Sequence, residues 1–191
     1  MTRKVAFLFV AVMLIAPSAM AREGDTNIGF QGQYIAYGNE RSDGGTRRLQ
    51  VPTGGIIMFA EYSVLDYIAL GGQIEYGNAY MAASPNDPYG SSMRNFMGFS
   101  GSFRAGYPFL KDKNLDVYIR LNAGYGIYGL SQSEIEHGWV ARAMPGVMYA
   151  TASGFTVFAE IGWAGGGFID ATDSHHMLSG LAMDFGIGWK F

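Results

Sequence analysis

Cysteine is absent from all 191 residues. That excludes a disulfide framework and thiolate chemistry, and it leaves burial, a closed hydrogen-bonded sheet or a surrounding membrane to supply stability. Charge is sparse too: Asp, Glu, Lys and Arg make up 15% of the chain, with a net charge of −3. Without a basic block nothing can neutralise a row of phosphates, so nucleic-acid binding is not expected. After residue 21 no apolar run approaches the roughly 20 residues that a helix needs to cross a hydrocarbon core.

What is present begins at the amino end. Arg3 and Lys4 precede an apolar run from Val5 to Ala16, and Ala19-Met20-Ala21 places small residues at −3 and −1 of a cleavage point. This reads as a secretory signal peptide, and the run is too short to be a retained anchor. Residues 1–21 are expected to be removed, leaving 22–191 as one domain. Losing Arg3 and Lys4 from the 13 basic residues leaves 11 against 16 acidic ones.

The 28 glycines and 15% aromatic content suit pleated surfaces better than helices. Alternation with period 2 follows. In 26–38, Ile28, Phe30, Tyr34 and Ala36 share one parity, and Asn27, Gln31 and Gln33 the other. The same split recurs at 50–62, 67–77, 95–107, 115–130, 139–150, 155–164 and 179–191. The intervening segments are long at 39–49, 78–94 and 165–178 and short at 63–66 and 151–154. Asp43-Gly44-Gly45, Pro85-Asn86-Asp87-Pro88 and Gly165-Gly166-Gly167 fall in the long ones. The rhythm predicts an all-β fold: an eight-stranded antiparallel up-and-down transmembrane β-barrel, with both ends on the short-turn, periplasmic side.

Alternation alone does not say which face is outside. The polar rows carry Glu61, Glu75, Asp116, Glu160 and Asp184 against Arg104, Arg120, Arg142 and Lys190, near-balanced charges that suit a closed interior of paired ions. The same rows hold Gly98, Ser100, Ser102, Gly186 and Gly188, small enough for the narrow lumen of an eight-stranded barrel. Tyr62, Tyr67, Tyr76, Tyr107, Trp139, Tyr149, Trp163 and Trp189 fall near strand ends, where amphipathic rings prefer membrane interfaces. The apolar rows are therefore expected to face lipid.

The last strand is the most specific feature. Leu181, Met183, Phe185, Ile187, Trp189 and Phe191 form an unbroken apolar row ending on an aromatic carboxy-terminal residue. It resembles the closing strand of small eight-stranded bacterial outer-membrane barrels of the OmpA/OmpX type. That resemblance implies an outer-membrane location and a partner in biogenesis, the barrel-assembly machinery, reading Phe185, Ile187, Trp189 and Phe191.

Candidates for chemistry are few. Asp173, Ser174, His175 and His176 stand side by side, but neighbours in a chain do not make a triad, whose members must converge in space. The His-x-Ser motif of outer-membrane lipid A deacylases is missing. A metal site from His175, His176, Asp170 and Asp173 is chemically conceivable, yet adjacent histidines on an extended chain point apart, and a solvated loop is the simpler reading. Glu134, Glu136 and His137 read as a wet loop, and Gly124-Tyr125-Gly126 lies in a strand and is no nucleotide fingerprint. Arg41, Arg47 and Arg48 in the first long loop are either ordinary solvated loop charges or, with their guanidinium forks, contacts for lipopolysaccharide phosphates. Met81, Pro85, Pro88, Tyr89 and Met93 give the second loop more apolar surface than a connector requires, which either packs locally or meets an extracellular ligand.

No catalytic, cofactor or metal residue is assigned. The expected function is non-enzymatic: a membrane anchor presenting loops for envelope integrity, adhesion or host and surface contact. A lipid-modifying outer-membrane enzyme (lipid A deacylase or acyltransferase type) and a small channel are the alternatives.

Overall fold

The computed structural model describes residues 24–42, 45–48, 53–80, 93–109, 115–129, 135–169 and 175–191. The expected signal peptide lies outside them, as does most of the second long loop. The described strands are β1 (Thr26–Ser42), β2 (Gly45–Arg48), β3 (Thr53–Leu65), β4 (Ile68–Tyr80), β5 (Met93–Pro108), β6 (Leu115–Tyr128), β7 (Glu136–Ala150), β8 (Phe155–Ile169) and β9 (His175–Lys190). Each pairs antiparallel with the next around the sheet, and β1 pairs with β9, which closes a barrel. β2 is no ninth stave. It continues the line of β3, pairing with Asn39–Ser42 where β3 pairs with Thr26–Ile35.

Closure is completed where the ends of the chain meet: Thr26 N donates to Phe191 O at 3.1 Å and Phe191 N to Thr26 O at 2.9 Å. The turns at 66–67 and 151–154 lie at this same end. The second is tight because Gly154 takes φ 85°, and its carbonyl accepts from Lys190 N at 2.8 Å.

The strands run further than their alternation suggests. The segment 39–49 is mostly a hairpin of β1 and β2, and 165–178 shrinks to 170–174. Gly165–Gly167 belongs to β8 rather than to a loop, paired with Trp139–Ala141 and with Met177–Ser179. The glycines make room for rings: a Cβ on Gly166 would stand 3.0 Å from the Phe168 ring, and one on Gly167 would stand 2.6 Å from Trp139 Nε1. His175 and His176 likewise lie in β9, opposite Ile169 and Phe168. Pairing of β7 with β8 skips Met144 and Pro145, since proline has no N–H to give the ladder.

The faces divide as the residue types require. Ile28, Phe30, Ile56, Met58, Leu70, Ile74, Phe99, Leu121, Ile161 and Phe185 are all exposed on the outer wall. Apolar area on this scale, running round the whole barrel, is far larger than a water-facing protein displays and is what lipid covers. Within this belt Ala60, Gly72, Gly101, Ala123, Ala141 and Gly165 are successive cross-strand partners. They form a row of small residues flanked on both sides mainly by large ones, with Ala143 and Gly167 as the exceptions.

Candidate functional site: the barrel interior

Inward-facing side chains on eight strands form two ionic clusters and a layer of rings. In the first cluster, Glu61 of β3 accepts from three donors: Arg104 Nε and Arg120 Nε at 2.8 Å each, and Ser102 Oγ at 2.8 Å. Arg120 Nη1 stands 2.6 Å from Glu160 Oε1 on β8, off the hydrogen-bond axis. Tyr118 OH donates to the same oxygen at 2.6 Å, and Gln31 Nε2 donates to Glu160 Oε2 at 3.0 Å. The Arg120 guanidinium also lies over the Phe59 ring at 4.5 Å, with Tyr118 at 5.5 Å and Phe158 at 5.8 Å. With 1% of its surface exposed, Arg120 fills the lumen rather than lining it. Its charge is tolerable there because every side supplies either a carboxylate or a ring face.

The second cluster joins Arg142 of β7 to Glu75 of β4 at 3.3 Å through Nη1, and to Asp184 of β9 through Nη2. Beyond it, towards the end with the long connections, Phe96, Tyr128, Val140 and Phe168 pack together, with Tyr128 and Phe168 stacked at 5.2 Å. Rings and ions therefore occupy the lumen at successive levels.

Two members of the charged set expected inside stand apart. Lys190 lies at the closed seam, 2.9 Å from Asp25, with both side chains still partly exposed; being next to the chain's end, it reaches the rim instead of the axis. Asp116 is buried, but its Oδ1 has no donor among the described residues. Interior aromatics are what strand reading missed. Phe59, Tyr128, Phe158 and Phe168 share the parity of the inward polar residues, and that shared parity was the available signal.

Tyr62, Tyr67, Tyr76, Tyr107, Trp139, Tyr149, Trp163 and Trp189 all face outward and exposed. So do Phe185, Ile187, Trp189 and Phe191, with Trp189 edge-on to Phe155 at 5.3 Å. Tyr125 OH hydrogen-bonds His137 Nδ1 on the outer wall, their rings stacked at 5.9 Å. The backbone pairs Arg41 with Thr46, Arg47 with Glu40 and Arg48 with Asn39. The side chains of these arginines, and of His175 and His176, lie outside what the structure describes, as do Asp170, Asp173 and Ser174. Among the described residues no group of three or more His, Asp or Glu could hold a metal ion.

No family model matches the sequence, and no curated protein matches it. Solved structures do. The outer membrane protein OprG of Pseudomonas aeruginosa superposes with a TM-score of 0.55 at 10% identity, over 90% of this chain and 98% of that one. Neisserial surface protein A gives 0.54 at 13% identity, over 88% and 100%. The outer membrane protein AlkL gives 0.52 at 15% identity, over 92% and 94%. Strand order, closure and these superpositions together identify the fold as the small eight-stranded barrel of outer-membrane proteins of the OmpA/OmpX type.

Proposed function

We propose that the chain is exported to the bacterial outer membrane and serves there as a plugged, non-enzymatic anchor. Its long connections contribute to envelope integrity or meet an extracellular surface. The observation that carries this reading is the occupied lumen: Arg120 is 1% exposed and is held between Glu61, Glu160 and the rings of Phe59, Tyr118 and Phe158. An eight-stranded barrel has room for little more than such side chains, so a wide pore is not its use. Work is then left to the outer rim, where Arg41, Arg47 and Arg48 are candidates for lipopolysaccharide phosphates, and segments 39–49 and 78–94 for an extracellular ligand. Outward Phe185, Ile187, Trp189 and Phe191 are the candidate signal for the barrel-assembly machinery.

Two measurements test this. The purified barrel in planar bilayers is expected to give no steady conductance, and a stable open level contradicts the plug. Replacing 39–49 and 78–94 by short turns is expected to abolish binding of cells to surfaces while the barrel keeps its heat-modifiable migration on gels. Unchanged binding counts against a role for the loops.

A further inference from the structure

The two interior clusters differ in charge balance. In the first, Arg104 and Arg120 pair with Glu61 and Glu160, two against two, with the buried Asp116 near Arg104 but in no ion pair with it among the described residues. In the second, a single guanidinium, Arg142, serves both Glu75 and Asp184. Asp184 is 0% exposed and Glu75 3% exposed, so water does not screen the surplus. The inward register neighbours of the three residues are Gln33 from β1, Ile57 from β3, Gly98 from β5, Asn122 from β6, and Ala164 and Glu160 from β8. None is a base. The one that ionises, Glu160, is a further acid already held by Arg120 and Tyr118. Among the described residues Asp184 Oδ1 has no hydrogen-bond donor and Arg142 Nε no acceptor, so one buried carboxylate oxygen is able to carry a hydrogen.

An isolated carboxylate in such surroundings costs far more than neutralising it. We propose that the Glu75–Arg142–Asp184 site binds one proton, so that at neutral pH one of its two carboxyls is a neutral acid. A metal cation is the wrong ligand: it requires several oxygens at once, and the described residues offer no such set. A proton needs the single free oxygen that Asp184 presents. Folding then carries a proton into the barrel. Unfolded carboxyls ionise at about pH 4, so above that pH the folded state holds one proton more than the unfolded. Stability from this site is full at low pH and is lost as pH rises, with the folding equilibrium weakening about tenfold per pH unit.

Infrared spectra of the folded chain in detergent and heavy water decide the matter, because the C=O stretch of a carboxylic acid lies above the amide band. At neutral pH the wild type is expected to show that band. Asp184→Asn and Glu75→Gln, made singly, are each expected to lose one carboxyl's worth of it, because either neutral amide removes the surplus charge. Glu61→Gln, from the balanced cluster, is expected to keep the band. The same two variants are expected to flatten the pH dependence of unfolding. A wild-type spectrum with no acid band overturns the proposal whether or not any variant folds. So does an undiminished band in Asp184→Asn, or a metal bound one per chain in the purified barrel.

Discussion

Replacing Glu61 by alanine is expected to remove about 3–5 kcal/mol from the folding free energy of the barrel, because it breaks a buried ionic network from one side only. Glu61 is 2% exposed and accepts from Arg104, Arg120 and Ser102. Once it is gone, Arg104 has lost its ion pair and Arg120 keeps only Glu160. Neither arginine is able to reach water, since they are 4% and 1% exposed. The cost is the desolvation of guanidinium groups left uncompensated, and it exceeds by several-fold what a surface ion pair contributes. Glu61→Gln, which keeps an acceptor but not the charge, is expected to lie between. Urea titration of the refolded barrel in lipid vesicles measures both. A loss below about 1 kcal/mol for Glu61→Ala would put the pair in the class of solvated surface bridges and remove the basis for a closed lumen.

Much of this arrangement was legible in the sequence, for a definite reason. Period 2 is rigid, so once Ile28 and Phe30 are assigned to one face, Asn27 and Gln31 belong to the other, and the parity of the charges follows along each strand. Glu61, Glu75, Arg104, Arg120, Arg142, Glu160 and Asp184 all lie inside. What parity does not provide is partnership. That Arg120 reaches Glu61 and Glu160 while Arg142 reaches Glu75 and Asp184 depends on how strands far apart in sequence face one another across the lumen. The row from Ala60 to Gly165 was hidden for the same reason, being defined only by register. Strand ends were underestimated where glycine stood in for loop chemistry. Gly165–Gly167 resembles a turn in isolation, yet its missing side chains are what let Phe168 and Trp139 pack. Lys190 was placed by parity alone, and the nearness of the rim decided its partner.

The same parity argument predicts opposite outcomes for adjacent positions, and Leu121→Arg is the sharper case. Leu121 neighbours Arg120 in β6 but projects from the other face, 42% exposed on the belt and halfway along the strand. A guanidinium there has no acceptor: its cross-strand partners on the same face are Phe103 and Ala143. At the middle of a bilayer, arginine on the lipid face of a barrel costs about 2–4 kcal/mol, and Leu121 is too far from either end for the side chain to reach a headgroup easily. The expected result is a drop of that size in vesicle-refolded protein, with a smaller drop for arginine at Tyr62 or Tyr149, which lie near the turn end. In short-chain detergent, where water and headgroups lie close to the belt, the gap between the positions should narrow. Equal tolerance of arginine at Leu121 and Tyr149 in vesicles would mean that the outer wall is not at bilayer depth, and the assignment of faces to lipid and lumen would fall with it.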